Sequence, residues 1–463
     1  MGNGRAIRYG WDILALIAIA SFGLAPAAAS AKPGTLDSGF GANGRVVTQT
    51  DTGYGVWPVS IAEGPDGTIV AADNKTVFRY LPDGSLDPSF GEGGKLTVAD
   101  PEGLPFLLQD LAVDPEGRIS LIGSVEVPDI SVPRSYISSI HPMLAAVIRY
   151  TSDGKLDPGF GDGNGVLVTD FGQPSTYGQE APYNKALTRL TTGALDRNGN
   201  LLAIVSVGEI VPRFRSELEM VPRLVVRLTS TGAPDPSFGG GDGVVSDTGL
   251  GPLGDLAQGQ DDALLVSGLQ LNREDGLASE ALIRLAPDGG VDPSFGRTGA
   301  PVPLFAPPLS DLALDPFGRI VALAGRGLIR LTPGGRRDRL FGYRGTASVR
   351  LPGQSSLSSL ALEPAGGILL AGTQVIRKGS KSGPRIDRYR RSFTVVRLNS
   401  KGRPDRRFGH GGWVSTRFGR GSNALGQDAF IDANNRLVVA GLVSGPDLSP
   451  PGGIALVRYN LGG

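Results

Sequence analysis

Short apolar runs, each closed by Gly, Pro, Asp or Asn, fill the chain from near residue 36 to its end, and no stretch repeats its apolar positions at helical spacing. One unit shows the order. Asp110-Leu111-Ala112-Val113 is a short apolar run, Asp114-Pro115-Glu116-Gly117 has turn chemistry, and Arg118 to Gly123 has strand character, so the two runs predict a hairpin. After an irregular segment come Ala146-Val147-Ile148-Arg149-Tyr150, a Ser152-Asp153-Gly154 turn, and a last run, Gly165-Val166-Leu167-Val168. The four runs are named a, b, c and d. Four antiparallel strands per repeat predict a propeller blade.

Two features give the repeat number independently. An Asp three residues before a Phe-Gly recurs at Asp37/Phe40, Asp87/Phe90, Asp157/Phe160, Asp235/Phe238, Asp292/Phe295, Asp338/Phe341 and Asp405/Phe408, which makes seven copies. The strand c pattern, two apolar residues followed by Arg and then Tyr or Leu, also occurs seven times, from Val77-Phe78-Arg79-Tyr80 to Leu456-Val457-Arg458-Tyr459. The counts are out of phase at the ends. The first motif leads only into a strand d, Arg45-Val46-Val47, whereas the last repeat stops on strand c. An N-terminal strand d completing a C-terminal blade closes the ring and removes open sheet edges. The expectation is an all-β, seven-bladed β-propeller of four-stranded antiparallel blades over residues 32–463.

The passage Pro82-Asp83-Gly84-Ser85, Leu86-Asp87-Pro88-Ser89-Phe90-Gly91 and Gly93-Gly94 resembles the delta-60 repeat family of bacterial secreted and surface proteins. The resemblance covers nearly all of the chain after residue 31. It implies a propeller-like fold and an exported location, and it brings no established activity or catalytic residues. Copies six and seven depart from the pattern, with Arg339-Leu340 and Arg406-Arg407 in place of Pro-Ser, so a looser turn is expected there.

Export is also written into the N-terminus. Arg5 and Arg8 precede the apolar run 13–24, and a small-residue tract ends in Ala29-Ser30-Ala31. This is the order of a secretory signal peptide, 1–31, with the mature chain starting at Lys32. The apolar run is shorter than the ~20 residues of a spanning helix, so no transmembrane span is expected after cleavage. Charge adds little, since 45 basic and 45 acidic residues balance and give no global pull toward nucleic acid. Absent cysteines exclude thiolate metal sites and cysteine nucleophiles.

Most recurring residues read as structure. A repeated Asp bonds nearby backbone, Pro fixes a turn, Phe fills the space between sheets, and the strand c Arg is expected to pair with the motif Asp. Asp196-Arg197-Asn198-Gly199-Asn200 and Asp162-Gly163-Asn164-Gly165 faintly resemble calcium loops but lack EF-hand spacing, so they are expected as turns.

Two candidate sites remain. Aligned on the a–b turn, Ser60, Asp110, Thr192, Asp255, Asp311, Ser359 and Asp428 occupy equivalent positions near the start of strand a. If strand a lines a channel, they make a polar ring at its mouth in which Asp110, Asp255, Asp311 and Asp428 hold a cation such as Ca2+ or a hydroxyl-rich ligand; the competing expectation is hydrogen bonding to the next blade. The second candidate is the basic b–c insertion of blade 6, with Arg377, Lys378, Lys381, Arg385, Arg388, Arg390 and Arg391 around Tyr389, suited to an acidic glycan, a phosphate-rich wall polymer or a lipid headgroup; the competing expectation is a solvated loop. Long b–c connections at 126–143, 209–221, 270–279, 375–392 and 443–453 place the irregular lengths on one face.

Familiar catalysis has little to work with. His141 and His410 are the two histidines, and no nucleophile elbow, zinc-binding helix or phosphate loop occurs. The leading expectation is therefore an exported binding module for a protein or glycan of the cell envelope or exterior. A hydrolase of ester or lactone type with a carboxylate-held cation, and a structural envelope component, are the alternatives.

Overall fold

Strand b shows why the repeats stack. Ile119–Glu126 is buried over seven of its eight residues, so both faces of its sheet are covered, and apolar side chains fill it without alternation. One blade cannot cover two faces of its own strands; its neighbours must. In the computed structural model, which describes residues 31–50, 58–126, 143–171, 187–208, 223–259, 261–271, 278–304, 309–378, 388–419, 422–445 and 452–462, the sheets stack in this way.

Seven four-stranded antiparallel sheets form a β-propeller. Blades 1 to 6 span 60–97, 106–169, 187–245, 253–303, 311–348 and 354–416. Blade 7 takes strands a to c from 423–460, and its strand d is the N-terminal Arg45–Gln49, which pairs antiparallel with Gly453–Asn460 from Arg45↔Val457 to Gln49↔Gly453. Strand a of each blade meets strand a of the next, from blade 1 round to blade 7 and back to blade 1. Strand a is therefore innermost, and the ring is closed.

The core lies in the seams. Among the described residues seven apolar clusters occur, each drawn from two adjacent blades; Phe40, Ile61, Phe78 and Phe430, for instance, fill the seam between blades 7 and 1. Each motif Phe is buried to within 2% and sits between sheets. Burying one such side chain contributes roughly 1.5–3 kcal/mol, so the Phe-Gly motif is a repeated packing element.

Strand a runs longer than the sequence pattern indicates. In blade 2 it begins at Phe106, and a β-bulge lies between Leu108, which faces Gly123, and Asp110, which faces Ile122. Blades 3, 4, 6 and 7 carry bulges at the same level. The extra residue reverses the in–out alternation, which is why period-2 reasoning sees only the later half.

Candidate functional site: the blade clasps, the polar ring and two faces

The recurring Arg and Asp meet in every blade. Arg79–Asp87, Arg149–Asp157, Arg227–Asp235, Arg284–Asp292, Arg330–Asp338 and Arg458–Asp37 pair at 2.6–2.8 Å. Arg397 is the exception: Glu363 takes it through two bonds of 2.7 and 2.9 Å, and Asp405 stands at 3.6 Å. The other carboxylate oxygen closes the turn, as where the Ser89 amide donates to Asp87 Oδ1 at 3.0 Å.

The same arginine reaches the next blade. Arg227 Nη1 donates to the Pro287 carbonyl at 2.6 Å and Arg330 Nη1 to Ser400 at 2.5 Å; Arg458 donates to Pro82, carrying the bond from blade 7 to blade 1. In six blades the guanidinium also covers the motif Phe, 4.4–5.5 Å from the ring centre. The Gly after each Phe completes the clasp by donating its amide to the following blade's turn, as from Gly239 to Asp288 at 2.9 Å. These groups hold blades together, as expected from the sequence. Copies six and seven keep their turns, with Phe341 and Phe408 amides bonded to Asp338 and Asp405 carbonyls at 3.0 and 2.9 Å. The expected loosening is confined to the Arg397–Asp405 distance, because the turn rests on backbone and Asp Oδ1 bonds that Arg or Leu at the Pro-Ser positions leave intact.

The polar ring is brought to one level but lies inside the wall. Asp110, Thr192, Asp255, Ser359 and Asp428 fall within their strands, next to the bulges, while Ser60 and Asp311 begin theirs. All seven are buried. Asp110, Asp255, Asp311 and Asp428 each accept the amide of the residue that follows through Oδ1, at 2.8–2.9 Å. Oδ2 turns to the neighbour: Asp311 accepts the Leu360 amide at 2.6 Å, and Asp428 accepts the Ile61 amide at 3.1 Å. Asp110 also accepts the Ser60 hydroxyl at 3.2 Å. Among the described residues, no three His, Cys, Asp or Glu side chains stand close enough together to hold a metal ion.

The described part of the basic insertion is ladder rather than loop. In blade 6, strands Ile368–Lys378 and Arg388–Leu398 stay paired out to Arg377↔Tyr389 and Lys378↔Arg388. Arg390 is exposed and Arg391 half-buried, while Lys381 and Arg385 lie outside the described residues. The correction has a physical reason: Val375, Ile376, Tyr389 and Ser392 keep strand propensity on both sides, and basic residues on a projecting hairpin cost its pairing nothing. His141 is outside the described residues as well. The faint calcium loops are turns, in which Asp196 Oδ1 accepts the Asn198 and Asn200 amides and Asn164 Oδ1 accepts that of Val166.

The b–c and d–a connections share one face, and the a–b turns and c–d motif share the other. Sequence reasoning places candidate chemistry on the first. On the second it reads Leu340 only as a loosened turn and passes over Tyr343 and Trp413, where the sequence signal is their departure from the motif.

A model described as "Domain of unknown function (DUF5122) beta-propeller" matches residues 64–90. No curated protein matches the chain. Among solved structures, a protein of Dyadobacter fermentans is similar at 15% identity and a TM-score of 0.40, over 76% of this chain and 93% of its own. A gluconolactonase of Xanthomonas campestris is similar at 15% identity and a TM-score of 0.35, over 75% and 95%. The PQQ-bound aldose sugar dehydrogenase of Streptomyces coelicolor is similar at 12% identity and a TM-score of 0.37, over 92% and 100%. No helix among the described residues is long and apolar enough to cross a membrane.

Proposed function

We propose that this chain is an exported propeller that captures a protein or glycan partner on the face where its b–c and d–a connections gather. The observation that carries the reading is a contrast between adjacent blades. Blade 5 turns from strand b to strand c through Gly325 and Arg326 alone, whereas blade 6 extends the same hairpin to Lys378 and Arg388. The recurring Arg, Asp and Phe residues hold blades together, so a partner-specific surface is left to the connections whose length varies. Long connections on a rigid scaffold are the usual location of binding function. The N-terminal order of charged, apolar and small residues supports export.

The test is an array of envelope glycans and surface proteins probed with the protein and with a variant in which residues 376–390 of the blade 6 hairpin are replaced by a two-residue turn. Loss of a wild-type signal in the trimmed variant supports the reading. A signal that survives trimming of each long b–c connection in turn overturns it. Mass spectrometry of the exported protein is expected to find Lys32 at its N-terminus.

A further inference from the structure

On the regular face, exposed charge is sorted by blade. The turns and motifs of blades 1 to 4 carry an excess of exposed carboxylates, among them Asp83, Glu92, Glu116, Asp153, Asp262 and Asp288, over the exposed Lys95, Lys155, Arg197 and Arg297. Those of blade 5 expose Arg336, Arg339 and Arg344, and those of blade 6 expose Lys401, Arg403, Arg406 and Arg407. No fully exposed acid accompanies these seven cations among the described turn residues of the two blades. Asp315, Asp338 and Glu363 are buried against Arg319, Arg330 and Arg397, and Asp405 is half-buried between Arg397 and Arg407. The two basic stretches touch, since the Gly342 amide donates to the Lys401 carbonyl at 2.9 Å.

Apolar groups crowd the same sector. Leu340, Tyr343 and Phe317 are 85%, 75% and 63% exposed, at positions where blades 1 and 2 place Ser89, Glu92 and Glu116. Arg344 covers Tyr343 and Arg319 covers Phe317, at 5.5 and 4.9 Å from the ring centres. Arg344 holds a left-handed φ of 53°, as Asn43 and Thr298 do at the same position of their motifs, where blades 1 and 6 use Gly93 and Gly411.

A cavity of about 250 Å³ opens in the seam between blades 5 and 6, and it includes Gly411 and Gly412 next to the blade 6 motif. Ser348, at the end of strand d of blade 5, and Val349 and Arg350, which follow it, form one wall, and Val396, Pro404 and Trp413 of blade 6 form the other. Trp413 is half-buried there; Lys95, Val166 and Val244 stand at its position in other blades. The volume is below the roughly 300–1,000 Å³ of a drug-sized ligand site, which suits a single ring.

We propose that the seam between blades 5 and 6 binds an anionic polysaccharide. One sugar ring sits in the cavity against Trp413, and the acidic groups of flanking sugars meet Arg339, Arg344, Arg406 and Arg407. Sugar C–H faces pack on aromatic rings, and guanidinium groups take carboxylate or sulfate oxygens through paired hydrogen bonds. An open surface with dispersed cations fits a chain better than a small anion. The acidic arc of blades 1 to 4 repels a wide duplex and confines a narrow polymer to two blades. An acidic peptide satisfies the arginines but offers no repeated ring for Trp413. This site uses none of the long b–c connections and stands without them.

The experiment measures affinity across a salt series for polygalacturonate, chondroitin sulfate, neutral dextran, polyglutamate and single-stranded DNA. The expected result is salt-weakened binding of one or both acidic glycans and none of dextran. Replacing Arg339, Arg406 and Arg407 by Ser and Arg344 by Gly should lower affinity about 100-fold and reduce the salt slope by about three. Trp413→Val should lower affinity about 10-fold with the slope kept, and Trp413→Tyr should retain binding, which separates stacking from folding. Arg390→Ser with Arg391→Ser, on the opposite face, should leave it unchanged. The proposal is overturned by equal or tighter binding of polyglutamate or DNA, by indifference to Trp413→Val, by loss in the opposite-face variant, or by self-association that the Arg406 and Arg407 changes abolish. The carboxylate and sulfate arms identify which anionic substituent is recognised.

Discussion

Arg458 and Asp37, 421 residues apart, form the 2.8 Å ion pair that Arg79 makes with an Asp eight residues away. The ends of the chain are thus joined by the contact that joins strand c to its motif within each blade, and the strand pairing from Arg45 to Gln49 adds to it. Asp37→Asn should lower stability by roughly 3 kcal/mol, since Arg458 is left buried beside a neutral partner. Removal of residues 32–49 should do more, exposing the edge of Gly453–Asn460 and producing concentration-dependent aggregation in light scattering. A monomeric truncation with wild-type Tm would disprove this closure.

The clasp is not equally strong in every blade. Arg227 and Asp235 meet at 2.6 Å with both side chains about nine-tenths buried, whereas Arg397 stands 3.6 Å from Asp405 and is held by Glu363. Arg227→Met and Asp235→Asn should each cost roughly 3 kcal/mol in urea unfolding, and Asp405→Asn less than about 1 kcal/mol. Glu363→Gln should resemble the first pair. Equal losses at Asp235 and Asp405 would contradict the unequal geometry.

The clasp carboxylates also set a pH dependence. At Asp37, Asp87 and Asp235 burial pushes the pKa upward, but turn hydrogen bonds and the paired arginine outweigh it and hold the group below its ordinary range. At Asp292 the Ser294 hydroxyl leads in the same downward direction. A carboxyl more acidic folded than unfolded contributes stability that is fully present above its unfolded value, about 4, and is lost as pH falls through the folded value. Glu63 and Glu280 run the other way, because burial raises them and protonation relieves the cost of holding their charge. Tm should therefore hold or rise slightly from pH 7 to 5 and drop below about pH 4. The drop should shrink in Asp235→Asn; a Tm that falls steadily from pH 7 would assign acid sensitivity to other groups.

The fold was legible because its signals repeat. Seven copies of Asp-x-x-Phe-Gly and seven of the strand c Arg gave the blade count, and their phase difference gave the closure that Arg45–Gln49 makes. The polar ring was legible only as a level. Alternation suggests that Asp110 begins a strand and faces a channel, whereas a bulge before it extends the strand to Phe106 and turns its carboxylate to the Leu111 amide and the Ser60 hydroxyl. A hint of the bulge stood in strand b, where Gly123, Gly268, Gly372 and Gly441 face it. The sector of Leu340, Tyr343 and Trp413 left no repeat to count, because a site used once appears only as deviation.

Gly372 tests the bulge directly. A Cβ on it would run into the Ser356 carbonyl, which the bulge at Ser358 brings over strand b. Gly372→Ala should cost roughly 2–4 kcal/mol, although alanine ordinarily favours a strand interior over glycine. A neutral or stabilising result would mean that the bulge relaxes readily.

Asp311 decides between a structural and a metal role for the ring. Its Oδ1 accepts the Leu312 amide at 2.8 Å and its Oδ2 the Leu360 amide of the next blade at 2.6 Å, both deep in the wall. Asn at this position keeps one acceptor and turns an N–H toward an amide that also donates, so Asp311→Asn should destabilise by about 1–3 kcal/mol. A clasp needs no ion. The loss should be the same in EDTA and in millimolar calcium, and the wild-type Tm should not move between them. A calcium-dependent rise in Tm that disappears in Asp311→Asn would instead assign the ring a cation and make its amide bonds secondary.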